Sequence, residues 1–253
     1  MRRAVAFLTP FGRAAAPEPR SLRWFPVVGG AMGGVLGLVW WGSSKAWPGG
    51  VAAAVVVAVD LGLTGLLHLD GLVDAADGLL PPHADRSRRL EVMRDPAAGA
   101  FGVCAVGGVL LLRWAALDAL RPSVLLLVGL WAASRSVMAL VAVSLPYARD
   151  GGGLVSAFLD PVADAGSMAV EARWSARTTT RAVVLVVGVA VALGGCLGWQ
   201  VVGGAVSLAA GLAAAAGVVW LARRRLGGFT GDVLGAAGVV GETVALVVAA
   251  ARW

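Results

Sequence analysis

One stretch of the sequence, residues 182–222, runs for 41 residues without a charged side chain. A straight helix of that length would extend about 60 Å, at about 1.5 Å per residue. The hydrocarbon core of a bilayer is only about 30 Å thick, so this stretch has to cross it twice. Gly198, Trp199 and Gln200 are the predicted turn between the two crossings.

Further apolar runs recur along the chain, and each is long enough for one membrane crossing. They lie at residues 25–41, 51–67, 99–120, 124–145 and 233–251. Only 14% of the residues are charged, against about a quarter in an ordinary soluble domain. We therefore expect an all-α, polytopic helical integral membrane protein with about seven transmembrane helices, folded as one membrane-embedded domain over residues 1–253.

The basic side chains fall mainly on one side of this predicted topology. Sixteen of the 21 Lys and Arg residues lie in the N-terminal segment and in the second, fourth and sixth loops. Because cytoplasmic loops carry the excess of Lys and Arg, these segments are predicted to face the cytoplasm of a multi-pass cell-membrane protein. The net charge of +6 is thus explained by topology, and no nucleic-acid partner is indicated.

The second loop, residues 68–98, begins with an acidic motif. If the helix of the second span continues out of the membrane, Asp70, Asp74 and Asp77 share one helix face. Three like charges repel one another unless they surround a cation, and Mg²⁺ prefers one or two carboxylates together with water and phosphate oxygens. The alternative is a solvated acidic helix end, which is the weaker interpretation in a chain with so few acids. His68 is predicted to form a hydrogen bond or contact the substrate rather than bind metal.

A second polar segment follows the sixth span. Gly227 and Gly228 would let the backbone approach a ligand, and Thr230 and Asp232 stand at the start of a helix. The Asp232 carboxylate either caps that helix or reaches a metal ion. Because it lies on the same predicted side as the acidic motif, a composite site facing the cytoplasm is expected. The fourth loop, residues 146–181, is expected to form short surface helices.

The charged residues within the predicted spans include Arg113, Arg135 and Glu242. Arg135 and Glu242 each stand about 15 Å into the membrane, and Arg113 lies in the third span. An ionisable residue inside the bilayer is by default a functional candidate, while a helix-locking ion pair is the alternative. The sequence leaves both interpretations of Arg135 and Glu242 open.

An ordered set of motifs resembles the cobalamin-5′-phosphate synthase family, also called adenosylcobinamide-GDP ribazoletransferases. The matching segments are residues 9–10, 23–29, 64–65, 68–72, 74–78, 90–95, 99–102, 134–135, 147–149, 226–228, 230–232 and 234–237. Val92, Pro96 and Phe229 depart from the family pattern, but none of them removes a carboxylate. The resemblance runs nearly from end to end of the chain.

The resemblance implies an Mg²⁺-dependent phosphotransferase that joins adenosylcobinamide-GDP to alpha-ribazole, or to its 5′-phosphate, and releases GMP. It is compatible with association with other late enzymes of cobalamin biosynthesis and with an oligomer. Metal-binding roles are expected for Asp70, Asp74, Asp77 and Asp232, and catalytic roles for Asp77, Asp232, His68 and Arg94. Substrate contacts are expected from Arg23, Arg94, Asp95, Arg135, Arg149, Gly227, Gly228 and Thr230.

A cation or small-molecule transporter with a cytoplasmic acidic site is the second hypothesis. It would explain charged residues inside the spans. However, a transporter usually places its carboxylates near the midplane in broken helices, whereas here most acids cluster at one end. A membrane scaffold without enzymatic activity would need no carboxylate cluster at all.

Overall fold

The computed structural model describes residues 1–11, 19–82, 84–149 and 167–252, and the described part is helical. A 3₁₀ helix at Pro19–Trp24 precedes the second α-helix. The α-helices are α1 (Arg2–Leu8), α2 (Phe25–Ala46), α3 (Gly49–Thr64), α4 (Leu67–Leu79), α5 (Arg86–Val92), α6 (Ala100–Ala119), α7 (Val124–Ser144), α8 (Ser167–Trp199), α9 (Val201–Leu226) and α10 (Gly231–Ala249). This architecture confirms the predicted polytopic helical fold.

Six of the described helices are long and apolar enough to cross a membrane, and α3 with α4 forms a bent seventh candidate. The long apolar run is divided at Gln200, as predicted, because α8 ends at Trp199 and α9 begins at Val201. The predicted fourth loop is too long, since α8 already begins at Ser167. The short helices expected within residues 150–166 lie outside the described residues.

The second span does not continue as one helix, which corrects the sequence-based expectation. Gly65 and Leu66 both have left-handed backbone conformations, with φ of 57° and 63°. Glycine adopts this conformation freely, whereas it costs about 1–2 kcal/mol at a residue such as Leu66. The chain turns by 88° at this point, and α4 therefore leaves the direction of α3.

After the turn, α4 runs across the end of the helix bundle at which α6 and α10 begin, here called the site end. Gly71 of α4 packs on the backbone of Asp232, where an added Cβ would lie 2.9 Å from the carbonyl oxygen. One turn earlier His68 meets Gly235, and toward the end of α4 Asp77 meets Gly102 of α6. Thus α4 connects the first turns of α10 and α6 and lies across the start of these two helices.

Four buried charges connect the spans beneath α4. Arg113 of α6 donates to Asp60 of α3 at 2.5 Å and to Glu242 of α10 at 2.6 Å. Arg135 of α7 pairs with the other oxygen of Glu242, and Trp131 donates to Asp60 at 3.2 Å. Two cations and two anions give a neutral cluster, which lowers the cost of keeping charges in a low-dielectric interior.

This cluster contains the ion pair that one of the two interpretations of the intramembrane charges requires. Arg135 and Glu242 do form an ion pair, and Arg135 is only 1% exposed. Arg135 is therefore held inside the bundle by Glu242 rather than presented to a substrate, which corrects the expected substrate contact. Asp60 was missed from the sequence, although an acid inside an apolar run was the available signal.

Candidate active site

Asp232 stands in the first turn of α10, and two neighbours hold its carboxylate. The Arg149 guanidinium donates to Oδ2 at 2.6 Å, and the Thr230 hydroxyl lies 3.2 Å from the same oxygen. Thr230 is the residue that caps α10, because its Oγ1 accepts from the backbone N–H of Val233. The helix thus needs no cap from Asp232, whose carboxylate remains at the site end.

Arg149 is positioned by a short backbone pairing between two loops. The Ala148 N–H donates to the Phe229 carbonyl at 2.8 Å, and the Phe229 N–H donates to the Pro146 carbonyl at 3.0 Å. The Arg149 side chain also donates to the Met93 carbonyl at 3.0 Å. These contacts fix the guanidinium between the loop after α7 and the start of α10.

The two glycines before α10 have structural roles that differ from the predicted substrate contacts. Gly227 ends α9 with a left-handed φ of 75°, as is common for the residue after a helix. Gly228 packs against the Pro146 carbonyl so closely that an added Cβ would collide with it. Gly228 thus permits the backbone pairing that positions Arg149.

A cleft of roughly 650 Å³ of empty space, part of it open to solvent, lies between α4, α10 and the loop that carries Arg149. The polar part of its lining is formed by His68, Asp70, Arg149 and Asp232. Two acidic groups from different parts of the sequence therefore meet in one cleft, together with a fixed guanidinium. This is the composite arrangement that the sequence predicted.

Asp74, one turn beyond Asp70, experiences the same concentration of negative charge. Partial burial, and then the neighbouring carboxylates of Asp232 and Asp70, raise the pKa of Asp74 to about 7. Arg149 acts in the opposite direction but does not offset them. A carboxylate with such a pKa lies where a further positive charge would be stabilised.

The described residues contain no assembled metal site. No three His, Cys, Asp or Glu side chains there converge at metal-binding distances. Mg²⁺ takes only one or two carboxylates, which Asp70, Asp74 and Asp232 are able to supply, and completes its shell with water and phosphate oxygens. The three aspartates are hard oxygen donors around a shared negative potential.

Asp77 has a different position from the other two aspartates of the motif. Its Oδ2 accepts from the Gly99 N–H at 2.8 Å, and its Oδ1 accepts from the Gly102 N–H at 2.9 Å. Both carboxylate oxygens therefore bind free backbone N–H groups in the first turn of α6. We reassign Asp77 from metal ligand and catalyst to the cap that fixes α4 on α6.

The remaining predicted residues lie around the cleft or outside its polar lining. His68 is 5% exposed, and its Nδ1 has no hydrogen-bond partner in the described structure. Arg94 and Asp95 are exposed beyond α5, where Asp95 accepts from the Ala97 N–H. Arg23 is exposed at the end of the 3₁₀ helix. None of these last three lines the cleft.

One arginine that sequence reasoning passed over holds the end of α4. Arg89 of α5 is buried and donates to the carbonyls of Gly78, Leu79 and Pro81. These carbonyls lie at the C-terminal end of α4, where a cation is favourable. In the sequence Arg89 was one of several basic residues in an amphipathic segment, and nothing in the pattern singled it out.

Comparison with known proteins identifies the family to which the chain belongs. The sequence model of the cobalamin-5-phosphate synthase family matches residues 1–250. The chain belongs to this family. The resemblance to the cobalamin-5-phosphate synthase family that was stated from the sequence is thus confirmed. No solved structure matches the chain.

Three relatives of the chain are each named adenosylcobinamide-GDP ribazoletransferase. The adenosylcobinamide-GDP ribazoletransferase of Chlorobaculum parvum is 37% identical over 99% of this chain and 93% of its own length. Its counterpart in Chlorobaculum tepidum is 36% identical over 99% of the chain and 92% of its own length. That of Ectopseudomonas mendocina is 35% identical, covering 97% of this chain and 96% of its own.

The capping role of Asp77 predicts a loss of stability. Asp77→Ala removes both acceptors from the first turn of α6 and should destabilise the protein by about 1–2 kcal/mol, as loss of a helix cap does. Asp77→Asn keeps one acceptor and should lose less. Thermal unfolding of detergent-purified protein, followed by tryptophan fluorescence, measures the shift.

Asp74→Ala, one turn earlier on α4, is the matched control and should unfold close to the wild-type temperature. If Asp77→Ala unfolds at the wild-type temperature as well, the carboxylate is not a structural cap. Its reassignment from the metal site would then be wrong.

Proposed function

We propose that this chain is an adenosylcobinamide-GDP ribazoletransferase of cobalamin biosynthesis. It would join alpha-ribazole, or its 5′-phosphate, to adenosylcobinamide-GDP and release GMP. The family membership and the names of the relatives support this activity. The observation that carries it in the structure is the cleft in which Asp70, Asp232 and Arg149 meet, since a diphosphate requires both a cation site and a fixed positive group.

The reaction defines what the cleft has to do. A ribazole hydroxyl oxygen attacks the phosphorus atom attached to cobinamide, a new P–O bond forms, and the P–O bond to GMP breaks. The hydroxyl loses its proton and GMP leaves with the bridging oxygen. Since charge collects on the phosphate oxygens, positioning and neutralisation provide most of the acceleration in such transfers.

We propose that Asp70, Asp74 and Asp232 hold Mg²⁺ in the cleft. The ion would neutralise the diphosphate and the departing phosphate oxygens. Arg149 holds Asp232 by its ion pair and adds a positive charge on the same side of the cleft. The low number of protein ligands leaves coordination positions for phosphate oxygens, which agrees with the unassembled donor set.

Two further groups are proposed to act on the ribazole hydroxyl. The unpartnered Nδ1 of His68 faces a buried environment and can accept a hydrogen bond from the hydroxyl, which orients the attacking oxygen. Asp232 is either a ligand of Mg²⁺ or the acceptor of the hydroxyl proton. A proton acceptor must lie within hydrogen-bond reach of that oxygen in the substrate complex.

The transporter hypothesis gains no support from the structure. The intramembrane charges pair with one another: Arg113 binds Asp60 and Glu242, and Arg135 binds Glu242. These side chains are at most 7% exposed. These ion pairs hold the helices together. Asp70 and Asp232 lie elsewhere, in the cleft at the site end.

The activity is tested by GMP release from purified protein with adenosylcobinamide-GDP, alpha-ribazole and Mg²⁺. Turnover should require Mg²⁺, and Asp74→Asn and Asp232→Asn should each lower it by a factor of about a hundred or more, because a charged ligand is lost. Asp118→Asn, the same substitution at an exposed position near the other end of α6, should be harmless. Raising Mg²⁺ should partly rescue Asp232→Asn only if Asp232 is a ligand.

The outcome that contradicts the proposal is wild-type protein that releases no GMP under these conditions although it is folded. Near-normal turnover of Asp74→Asn would leave the activity standing but would refute the metal assignment.

We also propose that the site end faces the cytoplasm, as the excess of basic residues in its loops suggests. Cysteine labelling tests this in a background without Cys104 and Cys196. Ser87→Cys at the site end and Ala46→Cys at the end of α2 are both exposed. In intact cells an impermeant maleimide should label Ala46→Cys and not Ser87→Cys. The reverse pattern would place the site outside the cell.

A further inference from the structure

The cleft has an apolar half that the phosphoryl transfer does not use. Besides the acidic and basic groups, its lining includes six side chains from α1, α2, α4, α7, α10 and the loop after α7. They are Phe7, Phe25, Leu67, Met138, Tyr147 and Leu234. We call this set the aromatic wall, since three of its members are aromatic rings.

The aromatic wall is held in place by ring contacts. Phe7 and Phe25 stack with their centroids 5.8 Å apart and their planes at 28°. Tyr147 packs edge-on against Phe229, with centroids 5.5 Å apart. Phe25 and Phe229 are each 1% exposed or less. The buried rings of Phe25 and Phe229 therefore support the partly exposed rings of Phe7 and Tyr147, which do not need to be ordered by a ligand.

We infer that the aromatic wall binds the base of the ribazole substrate, a flat fused-ring heterocycle that carries no exocyclic hydrogen-bonding groups. This inference rests on the proposed function and adds to it the subsite for one substrate. Stacking on aromatic side chains is the usual means by which proteins hold such ring systems. The ribose attached to the base would then extend toward His68 and Asp232, which line the same cleft.

The chemistry of the wall favours this base over the guanine of the other substrate. Guanine carries an amino group, a ring N–H and a carbonyl, all of which need partners when they leave water. Five of the six wall residues are hydrocarbon or thioether side chains, and only Tyr147 has a hydroxyl. A benzimidazole base substituted with methyl groups has a single free ring nitrogen as acceptor, and therefore leaves fewer polar atoms without partners against such a surface than guanine does.

The aromatic wall adjoins the polar groups that line the same cleft. Tyr147 and Arg149 are two residues apart on the loop paired with Phe229, and Leu67 and His68 are consecutive on α4. A nucleoside whose base contacts the wall therefore has its sugar at the boundary between the two halves. This position suits a hydroxyl that has to reach a diphosphate held near Asp232.

A direct binding experiment tests the inference without relying on turnover. The probe is benzimidazole, added to the detergent-purified full chain and followed by saturation-transfer NMR. Wild type should bind it, and Phe7→Ala should weaken binding about fivefold to tenfold, the value of one aromatic contact. Phe11→Ala is the matched control, because Phe11 is 63% exposed and outside the cleft lining. Guanosine should not displace the probe.

Steady-state kinetics then separates the two substrates. Phe7→Ala should raise the KM for alpha-ribazole by a similar factor and leave the KM for adenosylcobinamide-GDP unchanged. Equal benzimidazole binding by wild type and Phe7→Ala would overturn the inference. So would displacement by guanosine, which would assign the wall to the nucleotide, or by octanoate at low concentration, which would assign it to lipid.

The two proposals fail in different ways. Benzimidazole binding that depends on Phe7, in a protein without GMP release, would refute the transferase function and leave the arene site. Normal GMP release with no effect of Phe7→Ala on either KM would retain the function and refute the subsite.

Discussion

The turn between α3 and α4 determines where every candidate catalytic group lies. Two successive left-handed residues, Gly65 and Leu66, end one helix and begin another at 88° to it. Without this turn, the acidic motif would extend away from the bundle as a solvated helix end. Because α4 instead crosses the site end, Asp70 faces the same cleft as Asp232, which follows it by 162 positions in the sequence. A strained residue such as Leu66 persists only where the surrounding structure fixes it.

Two features provide that fixed environment: the cluster of buried charges beneath α4, and the packing of α4 on α10 and α6. Asp60, Arg113, Arg135 and Glu242 connect α3, α6, α7 and α10 in the interior. Removing one partner of such a cluster leaves an uncompensated buried charge, at a cost of about 3–5 kcal/mol. The cluster therefore keeps α6 and α10, the two helices on which α4 lies, at constant separation. A site formed by residues from several helices needs this constancy, since small displacements impair transfer chemistry.

Much of this arrangement could be predicted from the sequence, because long apolar runs and clustered acidic residues are each compatible with only a few structures. Apolar runs of membrane length predicted the spans, and a run of twice that length predicted the break at Gln200. The acidic motif and Asp232 predicted a composite site, since like charges concentrated in a charge-poor chain need a reason. The sequence also predicted the pairing of Arg135 with Glu242 as one of two alternatives.

The features that could not be predicted from the sequence depend on how the helices are oriented relative to one another. The spacing of Asp70, Asp74 and Asp77 was compatible with one shared ligand. However, Asp77 faces α6 and binds two backbone N–H groups there. Helical spacing alone does not indicate which neighbouring helix each face meets. The roles of Gly228, Arg89 and the aromatic wall likewise arise from contacts between distant segments, which no local pattern contains.

If α4 and α10 contribute carboxylates to one cation site, Mn²⁺ binding should depend on both helices. Electron paramagnetic resonance measures free Mn²⁺ in a titration of purified protein with adenosylcobinamide-GDP and without ribazole, so that no turnover occurs. We expect Asp74→Asn and Asp232→Asn each to weaken Mn²⁺ binding about tenfold or more, and the double variant to be little worse than either. Mn²⁺ binding that is unchanged by Asp232→Asn, or two losses that simply add, would contradict a shared site.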